Sequence, residues 1–404
     1  MPEPQLIQLV SSTAKALLKQ GLPLPQKKPI AASAFTVARQ KLDEQIFKTI
    51  NSRVISQYES LLDGDEHLFL GHRVYAVDGT KLNLPRSLLA DGFKVSDQAA
   101  HYPLGLFSTL YRLQSQIPVD FSLSHTMDER AAALDHLACL RRGDIVVYDR
   151  GYFSFGMLSF HLERGLNAVF RVVTKSTYAV VERFAASDSV DEIVELSPTS
   201  KNKLSNLRKR YPGIDVTPLK LRLVKYEIDG KIYCLGTTLL DARYSRDDLK
   251  NLYHARWGIE ELYKISKHLM AIEEFHAKSL RGVKQELYAH MAMITLNRVF
   301  TNELDRTRRS RPLDAPVAAA DKPGMVTNFK SALSAFASNL ESLLLDRADQ
   351  LRLSVLSLLG RLSRRCQRVR PDRSHPRMSH KPKHKWSKPQ FKRAAEAQRT
   401  EKAA

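Results

Sequence analysis

The sequence predicts a mixed α/β fold: a sheet flanked by helices, interrupted by a β-rich insertion, with helical regions at both ends. Three observations predict it. Residues 73–124 alternate as a meander of three strands, RVYAVDG, LFSTLYRL and PVDFSLS, the last two joined by a turn-like QSQ. Helix, strand, helix and strand patterns then follow up to NAVFRVV at 167–173, the order of a sheet with helices packed on it. Within that stretch IVVY at 145–148 is wholly apolar, as a strand buried on both faces requires.

The elements can be justified in order. Residues 1–70 read as helical: Leu6, Leu9, Val10, Leu17 and Leu18 form one apolar stripe. SAFTVARQKLDEQIFKTI at 33–50 forms another, after the Pro-containing stretch 23–29. That second helix is either a recognition helix presenting Thr36, Arg39, Gln40 and Lys41 or an amphipathic bundle member, and the bundle reading is favoured. Residues 71–173 hold the first part of the sheet. In them, 128–143 reads as a helix with Asp128 as N-cap and Gly143 as its close. Residues 174–243 show no long amphipathic helix apart from the basic KNKLSNLRKR. They end in two alternating segments around an Asp-Gly hairpin turn, and are read as a mostly β insertion. Residues 244–305 return to helix, strongly so from Ser245 to about Phe300. A Pro- and Ala-rich linker and a helical pair at about 328–366 make up 306–366, and the basic tail 367–404 is expected to be disordered.

The net charge is +20. Residues 361–404 carry 15 Lys or Arg against 3 Asp or Glu, a surplus of +12 that leaves +8 for the rest. A basic body with a more basic tail suits a polyanionic partner, although a solvated surface explains the charge alone equally well. Cys139, Cys234 and Cys366 are few and far apart, which argues against a disulfide framework. The first residues carry Glu3 and lack a continuous apolar core, and no run approaches the roughly 20 apolar residues of a membrane span. The expectation is a cytoplasmic protein without a membrane partner.

Two acidic residues stand where structure alone does not ask for them. Asp78 ends the strand VYAV before Gly79, and Asp149 ends IVVY before Arg150 and Gly151. Strand ends in open α/β sheets are where ligands bind, and paired carboxylates there repel unless a cation or proton intervenes. Asp before Gly also simply starts turns, so neither residue is decisive alone. Tyr253, Arg256, Glu260 and Lys267 then fall on one stripe of the helix, over about 21 Å. A hydroxyl, two cations and a carboxylate in that order suit a metal with phosphates above and below it. The competing reading is an exposed face with an Arg256–Glu260 ion pair.

These segments resemble the DDE transposases of the insertion-sequence-four family. DGT at 78–80 is similar to the family's first Asp motif and YDRGYF at 148–153 to its second. Tyr253, Arg256, Glu260 and Lys267 match its Tyr-Arg-Glu-Lys signature residue for residue, and RPDRSHPRMSHKPKHKW resembles its C-termini. The resemblance implies a ribonuclease H-like core with an insertion before the Glu-bearing helix. It also implies Asp78, Asp149 and Glu260 as ligands of two divalent ions, normally Mg2+ with Mn2+ as substitute. By the same resemblance Tyr253, Arg256 and Lys267 contact DNA. The partners it implies are terminal inverted repeats and target DNA, bound by a homodimer in the synaptic complex. Residues 1–70 become a candidate end-binding domain and the helical pair a candidate dimer contact. The reaction implied is bacterial cut-and-paste cleavage and strand transfer through hairpinned ends, acting at the nucleoid. A hairpin step also calls for an aromatic to stack a flipped base. The insertion has no Trp, leaving Tyr178, Phe184, Tyr211, Tyr226 and Tyr233, while Trp257 is read as a packing anchor. Two alternatives stay open: a ribonuclease H-like nuclease without strand transfer, and a catalytically silent DNA-binding relative.

Overall fold

A run of β-branched and aromatic residues sets the centre of the molecule. The computed structural model describes residues 32–62, 67–96, 101–176, 178–198, 201–228, 230–309 and 325–368. Helices α1 (Ala32–Lys41) and α2 (Gln45–Ser60) come first, then strands β1 (Val74–Asn83), β2 (Lys94–Val95), β3 (Pro103–Arg112) and β4 (Ile117–Ser124). Helix α3 (Glu129–His136), β5 (Ile145–Tyr148), α4 (Phe155–Glu163) and β6 (Asn167–Val172) follow. Next are α5 (Ala179–Ala186), β7 (Asp191–Leu196), α6 (Lys201–Arg210), β8 (Leu219–Ile228) and β9 (Lys231–Thr237). The chain continues through α7 (Arg246–Ala255), α8 (Trp257–His268), α9 (Leu280–Arg309), α10 (Phe329–Leu345) and α11 (Ala348–Ser363).

The sheet has nine strands, ordered β2-β3-β1-β5-β6-β9-β8-β7, with β4 also pairing β3. Strand β1 is antiparallel to β3, and β5 and β6 are parallel to β1. An antiparallel meander that turns into parallel strands is the ribonuclease H-like mixed sheet, so the expected fold class holds. Val146 and Val147 are fully buried on opposite faces, as the apolar run required. One face of the sheet packs on α8 and α9, through Ala76 and Phe107 against Ile259, Leu262 and Leu287. The other packs on α3 and α4, through Val77, Val146 and Phe170 against Ala133, Met157 and Leu158.

Several boundaries differ from the sequence reading. Strand β1 does not end at Asp78 but runs on to Asn83, because β3 supplies pairing partners through Leu104. Asp128 does cap α3, accepting from the Ala131 N–H at 3.1 Å, but the helix stops at His136 and passes into a single 3-10 turn. The segment 174–243 contains α5 and α6 as well as strands. Its strands form no separate sheet: β9 pairs β6 and extends the main one. The helix expected from Ser245 is also divided. It starts with a capping box between Ser245 and Asp248, breaks at Arg256 and ends at His268, before α9 begins at Leu280. Arg39 on α1 is engaged by Glu286, Gln285 and the Gly282 carbonyl of α9, which is the bundle role favoured for that helix. The expected first helix around Leu6–Leu18, most of the linker and nearly all of the basic tail lie outside the described residues. Among the described residues no helix is long and apolar enough to cross a membrane, and no disulfide joins Cys139, Cys234 or Cys366.

Candidate active site

Strand register brings the two Asp motifs together. Ala76 lies opposite Val147 across the parallel β1–β5 pair. Asp78 and Asp149 each come two residues later, so they occupy matching positions on neighbouring strands. Asp149 follows the last residue of β5 and precedes a 3-10 turn, Arg150–Tyr152. The carbonyls of that turn are gripped by Arg130, whose Nε and Nη2 donate to the Gly151 oxygen at 2.9 and 2.7 Å.

Helices α7 and α8 deliver the remaining groups. Arg256 keeps helical angles (φ −52°, ψ −29°) at the junction between them, so the spacing of the four-residue stripe survives the break. The Tyr253 hydroxyl donates to Asp149 Oδ1 at 3.0 Å. Arg256 Nη2 donates to Glu260 Oε1 at 2.8 Å, and its Nη1 lies 4.0 Å from Asp78 Oδ2. One guanidinium therefore sits between the first and third carboxylates, while the second is held by the tyrosine. Lys267 reaches the other way and donates to the Lys81 carbonyl at 2.7 Å, on β1 beyond Asp78.

The inward turn of this stripe was not expected: Tyr253 and Arg256 are only 6% and 5% exposed. Burial comes with electrostatic cost. The Asp78 carboxyl is pushed up to about 6, first by burial and then by Glu129 and Glu260, against the opposing pull of the Gly79 N–H and Arg256. Burial raises the Tyr253 hydroxyl, helped by Asp149, and lowers the Lys267 ammonium. Arg256 is shifted up despite its burial, by Tyr253, Asp149, Glu260 and Asp78.

Sequence reasoning missed two contributors. Tyr263, one turn after Glu260, donates to the Asp78 carbonyl at 2.7 Å and fixes the strand from below. The first turn of α3 supplies Arg130, noted above, and Glu129, whose charge acts on Asp78. A usable signal was the acidic-basic pair directly after the Asp128 cap. The aromatics also sort differently. Phe184 is 1% exposed, and Tyr226 and Tyr233 stack on each other at 5.6 Å and 8°. Trp257, read as a packing anchor, is instead 51% exposed and stacks with His254 at 6.4 Å and 19°. Its backbone lies at the start of α8, where the apolar face is already filled by Ile259 and Leu262, so the indole is left outside.

Among the described residues no three His, Cys, Asp or Glu side chains are drawn close enough to hold a metal ion, because Arg256 occupies the space between two of the carboxylates. The donor set nevertheless fits a hard divalent cation. It is all carboxylate oxygen, and Asp78, raised mainly by burial with smaller contributions from Glu129 and Glu260, is a desolvated carboxylate that a cation would stabilise.

Comparison with known proteins gives the following. The family model described as transposase DDE domain matches residues 70–296. Among solved structures, the cryo-EM structure of a piggyBac transposase synaptic complex with hairpin DNA is similar with a TM-score of 0.43 and 11% identity, covering 92% of this chain and 77% of that one. No curated protein matches.

Proposed function

The chain belongs to the transposase DDE domain family, and from that premise we propose that it is a bacterial cut-and-paste transposase of the insertion-sequence-four kind. The observation that carries this reading is the convergence on one end of the sheet of Asp78, Asp149 and Glu260, linked through Arg256 and Tyr253. The three carboxylates are the oxygen donors for two divalent ions, Mg2+ or Mn2+. When bound, such ions supply Lewis-acid activation of an attacking oxygen and stabilisation of the leaving one.

The chain's own residues divide the remaining work. Arg256 acts as the internal counter-ion of Asp78 and Glu260, and its planar fork matches a phosphate's two oxygens. Tyr253 orients Asp149 in the free protein, and its one hydroxyl proton would pass to a DNA backbone phosphate once metal ions take over that carboxylate. Lys267, two turns beyond Glu260, adds a cation for a neighbouring phosphate. Trp257 and His254 form an exposed aromatic pair three and six residues before Glu260. They suit a base displaced from the duplex during hairpin formation, since base–aromatic stacking contributes about 1–3 kcal/mol. Terminal repeats and target DNA are the partners. The N-terminal region 1–70 is assigned to end binding, and α10–α11, with Leu344, Leu353 and Leu356 exposed, to contact between two protomers on DNA.

The test is cleavage of plasmid DNA carrying the ends that flank the gene, with and without Mg2+, by wild type and Glu260→Gln. Mg2+-dependent nicks at the element boundary that fall at least about 100-fold in the variant are expected. Specific binding without any cutting by well-folded wild type would replace this reading with that of a silent DNA-binding relative.

A further inference from the structure

We propose that Arg171 and Lys250, set on the stacked rings of Tyr233 and Tyr226, form a phosphate grip for the DNA strand that leaves the catalytic end of the sheet on the side of Asp149. The inference rests on the transposase reading and deepens it, by naming where the DNA backbone runs beyond the carboxylates.

Strand register places the grip. In the parallel β5–β6 pair Val147 lies opposite Val169 and Tyr148 opposite Phe170. Asp149 keeps extended backbone angles (φ −72°, ψ 169°), so Asp149 and Arg171 are the next matched positions. Side chains alternate along a strand, which puts both on the face that carries Val147 and Val169 and is covered by α7. The Tyr253 hydroxyl, bonded to Asp149 from α7, fixes that face for the carboxylate. Arg171 pairs with Leu235 of β9, Tyr233 stands two residues along on the same face, and Tyr226 of β8 lies directly opposite Tyr233. A row of side chains therefore leads away from Asp149 across three neighbouring strands.

The row is a column of cations and rings. Arg171 Cζ stands 4.9 Å over the Tyr233 ring, and the two tyrosines stack at 5.6 Å and 8°. Lys250 Nζ, from α7, stands 5.9 Å over the Tyr226 ring. Arg171 and Tyr226 come from the strands on either side of β9, so they close both faces of the Tyr233 ring. That ring is no platform for a displaced base; it spaces two cations. From β6 to β8 the column covers about 10 Å at ordinary strand separations, the rise of about three nucleotides in one DNA strand.

The state of the two cations points to a phosphate. Elsewhere around this sheet cations are committed: Arg256 to Glu260, Arg222 to Asp191, and Lys225 to the Phe184 and Ser187 carbonyls. Among the described residues neither Arg171 nor Lys250 makes a hydrogen bond or an ion pair, and both are half-buried. An aromatic face holds a guanidinium or an ammonium in place without using its N–H groups. Both cations thus keep their donors for phosphate oxygens. Lys250 also precedes His254 and Trp257 by four and seven residues, which puts it on the helix face of that exposed aromatic pair.

The test is binding of the full chain to duplex DNA carrying the element end, by fluorescence anisotropy over a series of salt concentrations, without metal so that no strand is cut. Wild type is compared with Arg171→Gln, Lys250→Gln and the double variant. Lys220→Gln, exposed at the far end of β8, removes the same charge outside the row. Melting temperatures establish that each variant is folded, and Lys250→Gln, on a helix surface, decides the matter alone if Arg171→Gln does not fold. The slope of log affinity against log salt is expected to lose about 0.9 in each single variant and about twice that in the double, with Lys220→Gln like wild type. A wild-type slope in either folded single variant, or an equal loss in Lys220→Gln, would overturn the grip and leave the transposase reading standing. Absence of end-specific binding by wild type itself would overturn both.

Discussion

Asp78 and Asp120 flank the same strand, β3, and are buried to a similar degree, with side chains 22% and 18% exposed, yet their surroundings push them in opposite directions. Asp120 on β4 has both oxygens matched. Lys48 Nζ lies 2.8 Å from Oδ1, and His136 Nδ1 lies 2.7 Å from Oδ2 while its Nε2 sits 3.0 Å from Ser108 Oγ. Burial works against this carboxylate, but the hydrogen bonds and charges of His136 and Lys48 prevail and hold it well below the usual range. The Ser108–His136–Asp120 chain has the order of a hydrolase triad. With His136 at 0% and Ser108 at 1% exposure no substrate reaches it, and it serves to tie β3, β4, α2 and α3 together. Asp78 receives one backbone N–H and a guanidinium at 4.0 Å, and faces two further carboxylates. In this molecule the satisfied polar network is structural, and the frustrated one is where the proposed chemistry is placed.

Breaking the satisfied side should give the largest effect on stability. Asp120→Ala leaves Lys48 and His136 without their shared acceptor, and is expected to destabilise the protein by about 3 kcal/mol, read by chemical denaturation at pH 7. Because the folded carboxyl lies below its ordinary value, its stabilisation is present above pH ~4 and is lost as pH falls through the depressed value. The variant should accordingly lose that part of wild type's acid sensitivity. An unchanged denaturation midpoint would show that the network is ornamental and dissolve the contrast with Asp78.

Asp78→Asn sharpens the same contrast with the opposite sign. A folded carboxyl raised to about 6 from 3.8 binds its proton more tightly than the unfolded chain does. Its favourable contribution is therefore full below about 3.8 and lost as pH rises through 6. Asn mimics the protonated form, so the metal-free variant should be more stable than wild type at pH 8, by an amount on the order of 2 kcal/mol. The gain should vanish near pH 4, while cleavage is abolished. Equal melting of the two proteins at pH 8 would mean that Asp78 carries no burial penalty.

How much of this was legible in the sequence follows from where each signal lives. The buried strand at Ile145–Tyr148 and the Asp that follows it are local patterns, and the sheet places them as expected. The Tyr253, Arg256 and Glu260 spacing was legible too, because even the helix break at Arg256 preserves helical angles. That the stripe turns inward was not legible, since it depends on Asp149 and Asp78 arriving from other strands to meet Tyr253 and Arg256. Glu129 was hidden by an ordinary context. An acid after an N-cap Asp is normal helix chemistry, and only the register of β1 shows that its neighbour is Gly79. The union of β9 with β6 is likewise a long-range pairing that the alternating pattern of residues 231–237 cannot specify.

The smallest effect on the fold should come from Trp257, and it separates DNA contact from packing most cleanly. The indole is 51% exposed and its stacking partner His254 is on the surface as well. Trp257→Ala therefore removes little buried area and should change stability by no more than about 0.5 kcal/mol. A Cβ on Gly258 beside it would lie 3.2 Å from the Tyr111 ring, a tight approach to which that ring would have to yield. If the exposed ring stacks a displaced base, losing it should slow hairpin formation by roughly 10-fold or more. First-strand nicking, which needs only the carboxylates, should be largely retained. Gel separation of nicked and hairpinned products from end-bearing DNA reads both steps at once. Equal loss of the two products, or a melting temperature lowered as far as by a core substitution, would return Trp257 to the role of a packing anchor.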